Sequence, residues 1–316
     1  MRSAALLFAL ALALALAPAP AGAAANAYVP LPIERLQQAL HRASARAPGR
    51  VAMEIKDLTT GYTTAINANA AMPAASTIKI PVMVEVFRQL ELGRFDLNTR
   101  VTLLARDRDW GSGWLCDAPV GSTYSVSHLL KLMITVSDNT AANMLIRLVG
   151  RGNVNAAMHE LGLDHTELAS YIYTQHYSIR RTLRTSPADM VKLLTLMARG
   201  ELVDAWSSRA MIAILEDQQI NTLLPEPLPE GIPIAHKTGS FDDTLDDVGI
   251  VYARPAPYVI AVMTTDLPTL SAGRTFIHHI SKLAFGDIER FAAWRAESGD
   301  LTVPQDVPLW GQAGGI

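Results

Sequence analysis

Apolar residues at the start of the chain follow a helical period and then an alternating one. Over residues 33–43 they recur every three or four positions, which predicts a packed helix that ends at Pro48 and Gly49. Residues 51–55 alternate between apolar and polar, and residues 62–66 return as a second strand after a turn at Gly61. We therefore expect a helix followed by a β-hairpin.

The middle and the end of the chain differ in the period of their apolar residues. From residue 77 to about residue 223 the spacing is almost entirely helical, whereas strand patterns return near the end, before one amphipathic closing helix. The predicted helices of the middle part cover residues 80–92, 126–136, 140–149, 187–198 and 208–215. The predicted strands of the last part cover residues 234–237, 248–252 and 258–265, and the closing helix covers residues 276–294.

This order of elements predicts an α+β fold in two lobes. An antiparallel sheet flanked by helices is assembled from both ends of the chain, so that residues 28–67 and 217–295 form a discontinuous α/β lobe. Residues 68–216 form an inserted all-α lobe, and we expect the active site between the two. Residues 299–316, which include two prolines and a Gly-Gly pair, are predicted to be a loosely ordered tail.

The first residues have the pattern of a secretory signal peptide. Arg2 precedes an apolar run over residues 4–17, and small residues follow up to about 23–25, where we expect cleavage. The run is shorter than the roughly 20 apolar residues that a membrane span needs. The sequence therefore predicts an exported protein, periplasmic or extracellular, without a stable membrane anchor.

Charge and cysteine usage exclude several classes of function. The formal net charge is −3, and acidic and basic residues are interspersed, so nucleic-acid binding is not predicted. Cys116 is the only cysteine and is expected to be a small buried residue without a disulfide. No metal-ligand motif occurs, so we predict neither a metal site nor a cofactor. The acidic run over residues 242–247 is expected to form a solvated turn.

The first candidate for chemistry is the Ser76-Thr77-Ile78-Lys79 segment at the start of a predicted helix. Side chains three positions apart share one helix face, so the Ser76 hydroxyl and the Lys79 amine can touch. A buried Lys near a helix N-terminus can lose its charge and accept the proton of a serine nucleophile. Backbone N–H groups at the same helix start can stabilise an oxyanion.

Two exact tripeptides support this interpretation, because each is expected by chance in only about one chain in twenty of this length. Ser137-Asp138-Asn139 stands at a junction between predicted helices, where Ser137 can relay a proton to a leaving nitrogen and Asn139 can bind a substrate amide. Lys237-Thr238-Gly239 ends a predicted strand. Lys237 and Thr238 suit a substrate carboxylate, Gly239 leaves room for substrate along the strand, and the Ser240 N–H can be a second oxyanion donor.

The order and spacing of these motifs resemble class A β-lactamases and related penicillin-binding proteins, whose signature is Ser-x-x-Lys, Ser-Asp-Asn and Lys-Thr-Gly. The resemblance extends over residues 28–295 and includes the segments 137–143 and 247–251. It implies the two-lobe β-lactamase/transpeptidase-like fold, and attack on a β-lactam or a D-alanyl peptide to give an acyl-Ser76 intermediate. It implies no cofactor, and we expect a monomer acting on a small molecule.

One departure from the family pattern concerns the release of that intermediate. Class A β-lactamases carry a Glu in a Glu-x-x-Leu-Asn segment of the omega loop, where it activates the deacylating water, and this chain has no such segment. No carboxylate occurs between Glu167 and Asp189. The candidates for water activation are His176 or a loop tyrosine, a displaced Glu167, or Lys79 itself.

Three functions remain open at this point. The first is a β-lactamase that acylates Ser76 and hydrolyses the ester. The second is a peptidase or amidase of cell-wall metabolism that acts on D-alanyl peptides and is inhibited by β-lactams. The third is a penicillin-binding or sensing module that stays acylated. The missing Glu gives weight to the second, whereas the third requires a signalling partner or anchor that the sequence does not indicate.

Overall fold

The structure of the protein is a computed structural model that describes residues 31–176 and 178–299. The predicted signal peptide and the predicted tail beyond Gly299 lie outside the described residues. Ten strands are described, in chain order: β1 (Arg50–Asp57), β2 (Thr63–Ile66), β3 (Met72–Pro73), β4 (Arg100–Thr102), β5 (Thr123–Ser125), β6 (Glu167–Leu168), β7 (Leu183–Thr185), β8 (Ile234–Phe241), β9 (Thr244–Val251) and β10 (Tyr258–Thr265).

Nine α-helices are described between and around these strands, together with three short 3₁₀ turns. The helices are α1 (Pro32–Ser44), α2 (Lys79–Glu91), α3 (Val126–Thr135), α4 (Asn139–Val149), α5 (Arg151–Glu160), α6 (Ile179–Thr182), α7 (Pro187–Ala198), α8 (Ala205–Glu216) and α9 (Leu270–Glu297). One of the 3₁₀ turns, Ala75–Ile78, leads directly into α2.

The main sheet is antiparallel and contains strands from both ends of the chain, in the spatial order β2-β1-β10-β9-β8. The central strand β10 is largely apolar on both faces, as expected for a strand that is covered on each side. Ile260 and Val262 of β10 pack on one face against α1 and α9, whereas Val259 and Ala261 pack on the other face against the helical lobe. The α+β class predicted from the sequence is confirmed.

The strand β8 forms the edge of the sheet nearest to the helical lobe, and it brings the two lobes together at the site. It pairs with β9 over its whole length, from Ile234↔Val251 to Phe241↔Thr244. Its other side packs against the Ala75–Ile78 turn and α8. The three signature segments therefore meet because β8, the start of α2 and the start of α4 converge at this edge.

Several element boundaries differ from the sequence-based expectations. The middle part also contains two small antiparallel sheets, β3-β7-β6 and β4-β5, and one helix, α5, that apolar spacing did not indicate. The helix α9 begins at Leu270 rather than near 276, and β8 continues to Phe241 rather than ending at Lys237. These are elements with short or polar segments, where the period of apolar residues is weakest.

The predicted solvated turn over residues 242–247 is wrong in its second half. Asp246 and Asp247 lie inside β9 and are fully buried. Asp247 accepts hydrogen bonds from the Leu224 N–H at 3.0 Å and faces His236 Nδ1 at 2.9 Å. Burial raises the pKa of Asp246 well above its usual range. The exposure of Asp246 and Asp247 was expected from their charge. Their hydrogen-bond partners lie in distant segments, which a local sequence pattern does not show.

Cys116 is buried and unpaired, as expected.

No helix among residues 31–176 and 178–299 is long and apolar enough to cross a membrane. The same residues contain no group of three or more His, Cys, Asp or Glu side chains that could hold a metal ion.

Candidate active site

The serine at the start of α2 is presented by a strained turn. Ser76 is half-buried within the Ala75–Ile78 3₁₀ turn, and Ala75 before it has a φ of 41°, in the left-handed region that residues with a Cβ rarely adopt. A Cβ atom on Gly239 would lie 3.1 Å from the Ser76 backbone nitrogen. A side chain at position 239 would therefore crowd this turn, and glycine allows the close approach of β8.

Lys79 is completely buried beneath Ser76 and is surrounded by oxygen atoms. Its Nζ lies 2.6 Å from the Ser137 carbonyl oxygen and 2.6 Å from Asn139 Oδ1. Two hydroxyl oxygens complete this set, Ser137 Oγ at 3.0 Å and Ser76 Oγ at 3.2 Å. The predicted contact between the serine and the lysine is thus present in the structure.

These contacts determine where a proton can be accepted. A neutral lysine amine has two N–H groups and one lone pair, and carbonyl and amide oxygens are acceptors only. The two short contacts of Lys79, to the Ser137 carbonyl and to Asn139 Oδ1, therefore use its two N–H groups. The lone pair is left for the hydroxyl groups of Ser76 and Ser137, which can each donate a proton to it.

Burial favours this neutral form. Desolvation holds the pKa of Lys79 well below its usual range, and the neighbouring positive charge of Lys237 lowers it further. The carboxylates of Asp138 and Asp109 act in the opposite direction and are the weaker influence. Burial thus favours an uncharged amine next to the serine hydroxyl.

Ser137 lies between the two buried lysines. Its Oγ is 3.0 Å from Lys79 Nζ and 3.0 Å from Lys237 Nζ, so a proton can pass from one side of the site to the other through this hydroxyl. Ser137 has a φ of 58°, which is a second strained position at the site. Lys237 also contacts the Thr238 carbonyl oxygen at 2.9 Å, and burial lowers its pKa to about 7.

Asp138, between Ser137 and Asn139 in the chain, holds two segments of the site together. It is fully buried, caps α4 by accepting from the Ala141 N–H at 2.8 Å, and accepts from the N–H groups of Trp114 and Leu115 at 2.9 Å each. It thereby ties the loop that contains Ser112 to the start of α4. This loop brings Gly111 and Ser112 to the cleft and leaves the Trp110 ring exposed.

A cleft of about 260 Å³ opens at Ser76 between the lobes. Ser137, Asn139, Thr238, Gly239 and Ser240 all line it, so the structure brings these predicted site residues together with the nucleophile. The other lining residues are Ala75, Gly111, Ser112, Ile172, Thr174, Leu183, Ile220, Thr222, Leu223, Phe241, Leu245, Leu270 and Arg274. Asp and Glu are absent from this lining.

Arg274 is a site residue that sequence reasoning missed. It projects from the first turns of α9 into the lining of the cleft. The structure thus places a cation of the cleft on a helix outside the three signature segments. Apolar spacing placed the start of that helix after this position, and no local signal marks Arg274 as part of a site.

Of the candidates for water activation, His176 and Glu167 do not join the nucleophile, whereas Lys79 contacts it. Glu167 is exposed on β6, opposite Arg184 of β7, and does not line the cleft. His176 is exposed and lines a neighbouring outer pocket with Ser240 and Arg180, not the cavity that contains Ser76. The residues of this loop that line the cavity of Ser76 are Ile172 and Thr174, neither of which is a carboxylate or an imidazole.

Comparisons with known proteins agree with this arrangement. A family model described as "Beta-lactamase enzyme family" matches residues 34–288. Among solved structures, the chain is similar to PBP-A, with 31% identity over 81% of this chain and 96% of that chain and a TM-score of 0.75. A mutant of PBP-A, solved as an acyl-enzyme complex with penicillin G, is 30% identical over 83% and 100% of the two chains, with a TM-score of 0.76.

A third similar structure carries the name of a β-lactamase. The β-lactamase from Sphaerobacter thermophilus is 32% identical over 81% of this chain and 97% of that chain, with a TM-score of 0.74. All three similarities cover nearly the whole length of the known protein.

Proposed function

Because the chain belongs to the β-lactamase enzyme family and is a serine hydrolase of that type, we propose that it opens β-lactams through an acyl-Ser76 intermediate and releases the product slowly. The observation that carries this proposal is the set of oxygen atoms around Lys79, which leaves the lone pair of a neutral amine for the hydroxyl groups of Ser76 at 3.2 Å and Ser137 at 3.0 Å. The predicted signal peptide supports an exported location, where such substrates are met.

Acylation follows from the positions of the hydroxyl groups. Lys79 accepts the Ser76 proton while Ser76 Oγ attacks the ring carbonyl carbon, and the backbone N–H groups of Ser76 and Ser240 are the proposed donors to the oxyanion. The ring C–N bond then breaks. Ser137 Oγ, 3.0 Å from Lys79 Nζ, passes the proton on to the leaving nitrogen.

Two cations in and near the cleft support a substrate with a carboxylate. Arg274 and Ser240 line the cavity, whereas Lys237 is fully buried behind Thr238 and does not itself line it. With a pKa of about 7, Lys237 is only partly protonated in the free protein, and an arriving carboxylate would favour its charged form. A β-lactam carboxylate and the C-terminal carboxylate of a D-alanyl peptide both satisfy this description.

Slow release follows from the chemistry of the cleft lining. Hydrolysis of the ester requires a base that activates water, and the described residues that line the cavity of Ser76 include no Asp or Glu. His176 lines the outer pocket, and Glu167 is exposed on β6 and does not line the cavity. We infer that Lys79, which is neutral again once the leaving nitrogen is protonated, is the base that remains available.

The same observation favours a second candidate function. A peptidase that acts on D-alanyl peptides would use Ser76, Lys79 and the carboxylate site in the same way, and the similarity to PBP-A and the lack of a cleft carboxylate agree with it. β-Lactams would then acylate the enzyme as persistent inhibitors.

The experiment that separates these functions follows adduct and product together. The mature protein is mixed with a chromogenic cephalosporin, intact mass is recorded over time, and the ring-opened product is measured in the same samples. The proposal expects a burst of about one equivalent followed by slow turnover. An adduct that persists without turnover, together with release of D-alanine from a D-alanyl-D-alanine peptide, would support the peptidase instead, and the absence of any adduct would refute both.

A further inference from the structure

A buried carboxylate outside the three signature segments joins the site to the loop that follows β6. Asp109 is 2% exposed and lies in the loop before Gly111 and Ser112. Asp109 Oδ1 accepts from Asn139 Nδ2 at 2.7 Å, and from the Gly111 N–H at 2.9 Å. Asp109 Oδ2 accepts from the Thr174 N–H at 2.8 Å, and the Thr174 hydroxyl lies 3.0 Å from Oδ1. All these donors are uncharged.

This set of contacts fixes the orientation of the Asn139 amide. A carboxylate only accepts hydrogen bonds, so the side-chain nitrogen of Asn139 must face Asp109 and the oxygen must face Lys79. In the reversed orientation an Asn139 N–H group would point at Lys79 Nζ. It would then donate to the lone pair of the neutral amine, which could no longer accept the Ser76 proton.

The same carboxylate holds one wall of the cleft. Thr174 and Ile172 both line the cavity, and the backbone of Ile172 is held separately by Asn143, whose side chain donates to the Ile172 carbonyl at 2.9 Å and accepts from its N–H at 2.8 Å. A Cβ atom on Gly111 would collide with the Thr174 side chain, so the two loops approach as closely as glycine allows. Asp109 therefore connects Thr174 on one side with Asn139 on the other.

We propose that Asp109 is a positioning residue for acylation: it holds the Asn139 amide with its oxygen towards Lys79, and thereby keeps the lysine lone pair directed at Ser76 while tying the Thr174 segment to the same point. This inference rests on the proposed function only in that Lys79 is the proton acceptor. It concerns a residue that lies outside the Ser-x-x-Lys, Ser-Asp-Asn and Lys-Thr-Gly segments.

The charge of Asp109 gives this role a second, measurable consequence. The charged groups that act on Lys79 are Lys237, which lowers its pKa, and Asp138 and Asp109, which raise it. Replacing Asp109 with neutral Asn removes one of the two groups that raise the pKa. The acid limb of the acylation profile, which reports protonation of Lys79, should therefore move to lower pH.

The test compares Asp109→Asn with Asp107→Asn, measuring the second-order rate constant for acylation by a chromogenic β-lactam across pH. Asp107 is a matched control: it is equally buried, lies in the same loop, and pairs with Arg147 at 2.9 Å without contacting the cleft. We expect Asp109→Asn to lower the plateau rate about 10- to 100-fold and to shift the acid limb to lower pH. Asp107→Asn should lower the melting temperature and leave both quantities unchanged.

A double-variant comparison tests whether Asp109 acts through Asn139. In an Asn139→Ala background, Asp109→Asn should have little further effect on the plateau rate. An unchanged plateau in the single variant Asp109→Asn, an equal loss in Asp107→Asn, or full additivity with Asn139→Ala would each overturn the proposal.

A measurement on the unmodified chain covers the case in which Asp109→Asn does not fold. The side-chain amide of Asn139 is assigned by nuclear magnetic resonance from its absence in Asn139→Ala, and its exchange with deuterium is followed. The proposal expects at least one slowly exchanging Nδ2 proton, because of the buried bond to Asp109; fast exchange of both protons would refute it. This result does not depend on whether β-lactams are substrates. That question is answered separately by the β-lactam adduct of the unmodified protein.

Discussion

Lys79 Nζ lies 2.6 Å from the Ser137 carbonyl oxygen, closer than it lies to any hydroxyl at the site. A carbonyl oxygen cannot donate, so this contact takes one N–H of the amine away from the proton-transfer route and helps to direct the lone pair at Ser76. The lysine therefore acts as a base because of the acceptors around it as well as because of burial.

The first prediction concerns the charge state of Lys79. Its pKa is lowered, so the neutral form predominates above that lowered value, and acylation should rise with pH through it and then level off. Lys79→Arg keeps a cation that cannot lose its proton, so acylation should fall about 10²- to 10⁴-fold and lose this limb. Stopped-flow acylation over pH 5–10 measures both. A Lys79→Arg variant with the normal profile would assign the base elsewhere.

The second prediction concerns the strained serine between the lysines. Ser137→Gly and Ser137→Ala both remove the hydroxyl that contacts Lys79 and Lys237, so acylation should fall in both by a similar factor. Because residue 137 has a φ of 58°, the Gly variant should be more stable than the Ala variant by about 1 kcal/mol. Denaturant unfolding measures this difference. Equal stabilities would mean that the turn relaxes to another backbone conformation.

The third prediction concerns the close approach of β8 to the nucleophile turn. In Gly239→Ala the added Cβ would lie 3.1 Å from the Ala74 carbonyl and from the Ser76 nitrogen, so one of the two segments must move. Acylation should slow while most of the stability is kept. Gly152→Ala in α5, whose Cβ would meet nothing within 4 Å, is the control and should acylate normally. Normal acylation in Gly239→Ala would show that the spacing at this point is not critical.

The fourth prediction concerns the missing base for release. Ile172 lines the cavity of Ser76 from the loop, so Ile172→Glu would bring a carboxylate to the acyl ester. Release of the acyl-enzyme should accelerate by about 10²-fold, within the usual range for general-base catalysis. Ile172→Gln has nearly the same shape without the charge and should release slowly. If the Gln variant were equally fast, loosening of the loop rather than a carboxylate would be the cause.

How much of this site the sequence predicts depends on how local each signal is. Ser76 and Lys79 are three residues apart on one turn, so helical geometry alone brings them together. The convergence of Lys79 and Lys237 on the Ser137 hydroxyl depends on the sheet edge at β8, and only the resemblance to a known family indicated it. The order of helices and strands was sufficient for the α+β fold, but not for the short strands of the middle part.

The residues that the sequence did not predict were missed for a common physical reason. Asp109 has its role through Asn139 and Thr174, which are distant in the chain, and Arg274 reaches the cleft from a helix whose start lacks apolar spacing. Asp246 and Asp247 were expected in solvent because charge is a local property, whereas their burial depends on partners such as Thr264 and His236. Such contacts are set by tertiary packing.

The identity of the nucleophile is the central claim, and the most direct measurement is covalent labelling. The mature protein and the Ser76→Ala variant are incubated with a penicillin, analysed by intact mass, and digested for peptide mapping. We predict one adduct per chain in the mature protein, located on the peptide that contains Ser76. The Ser76→Ala variant should keep the native melting temperature and form no adduct. Labelling of Ser76→Ala, or an adduct mapped to another residue, would contradict the assignment of this serine.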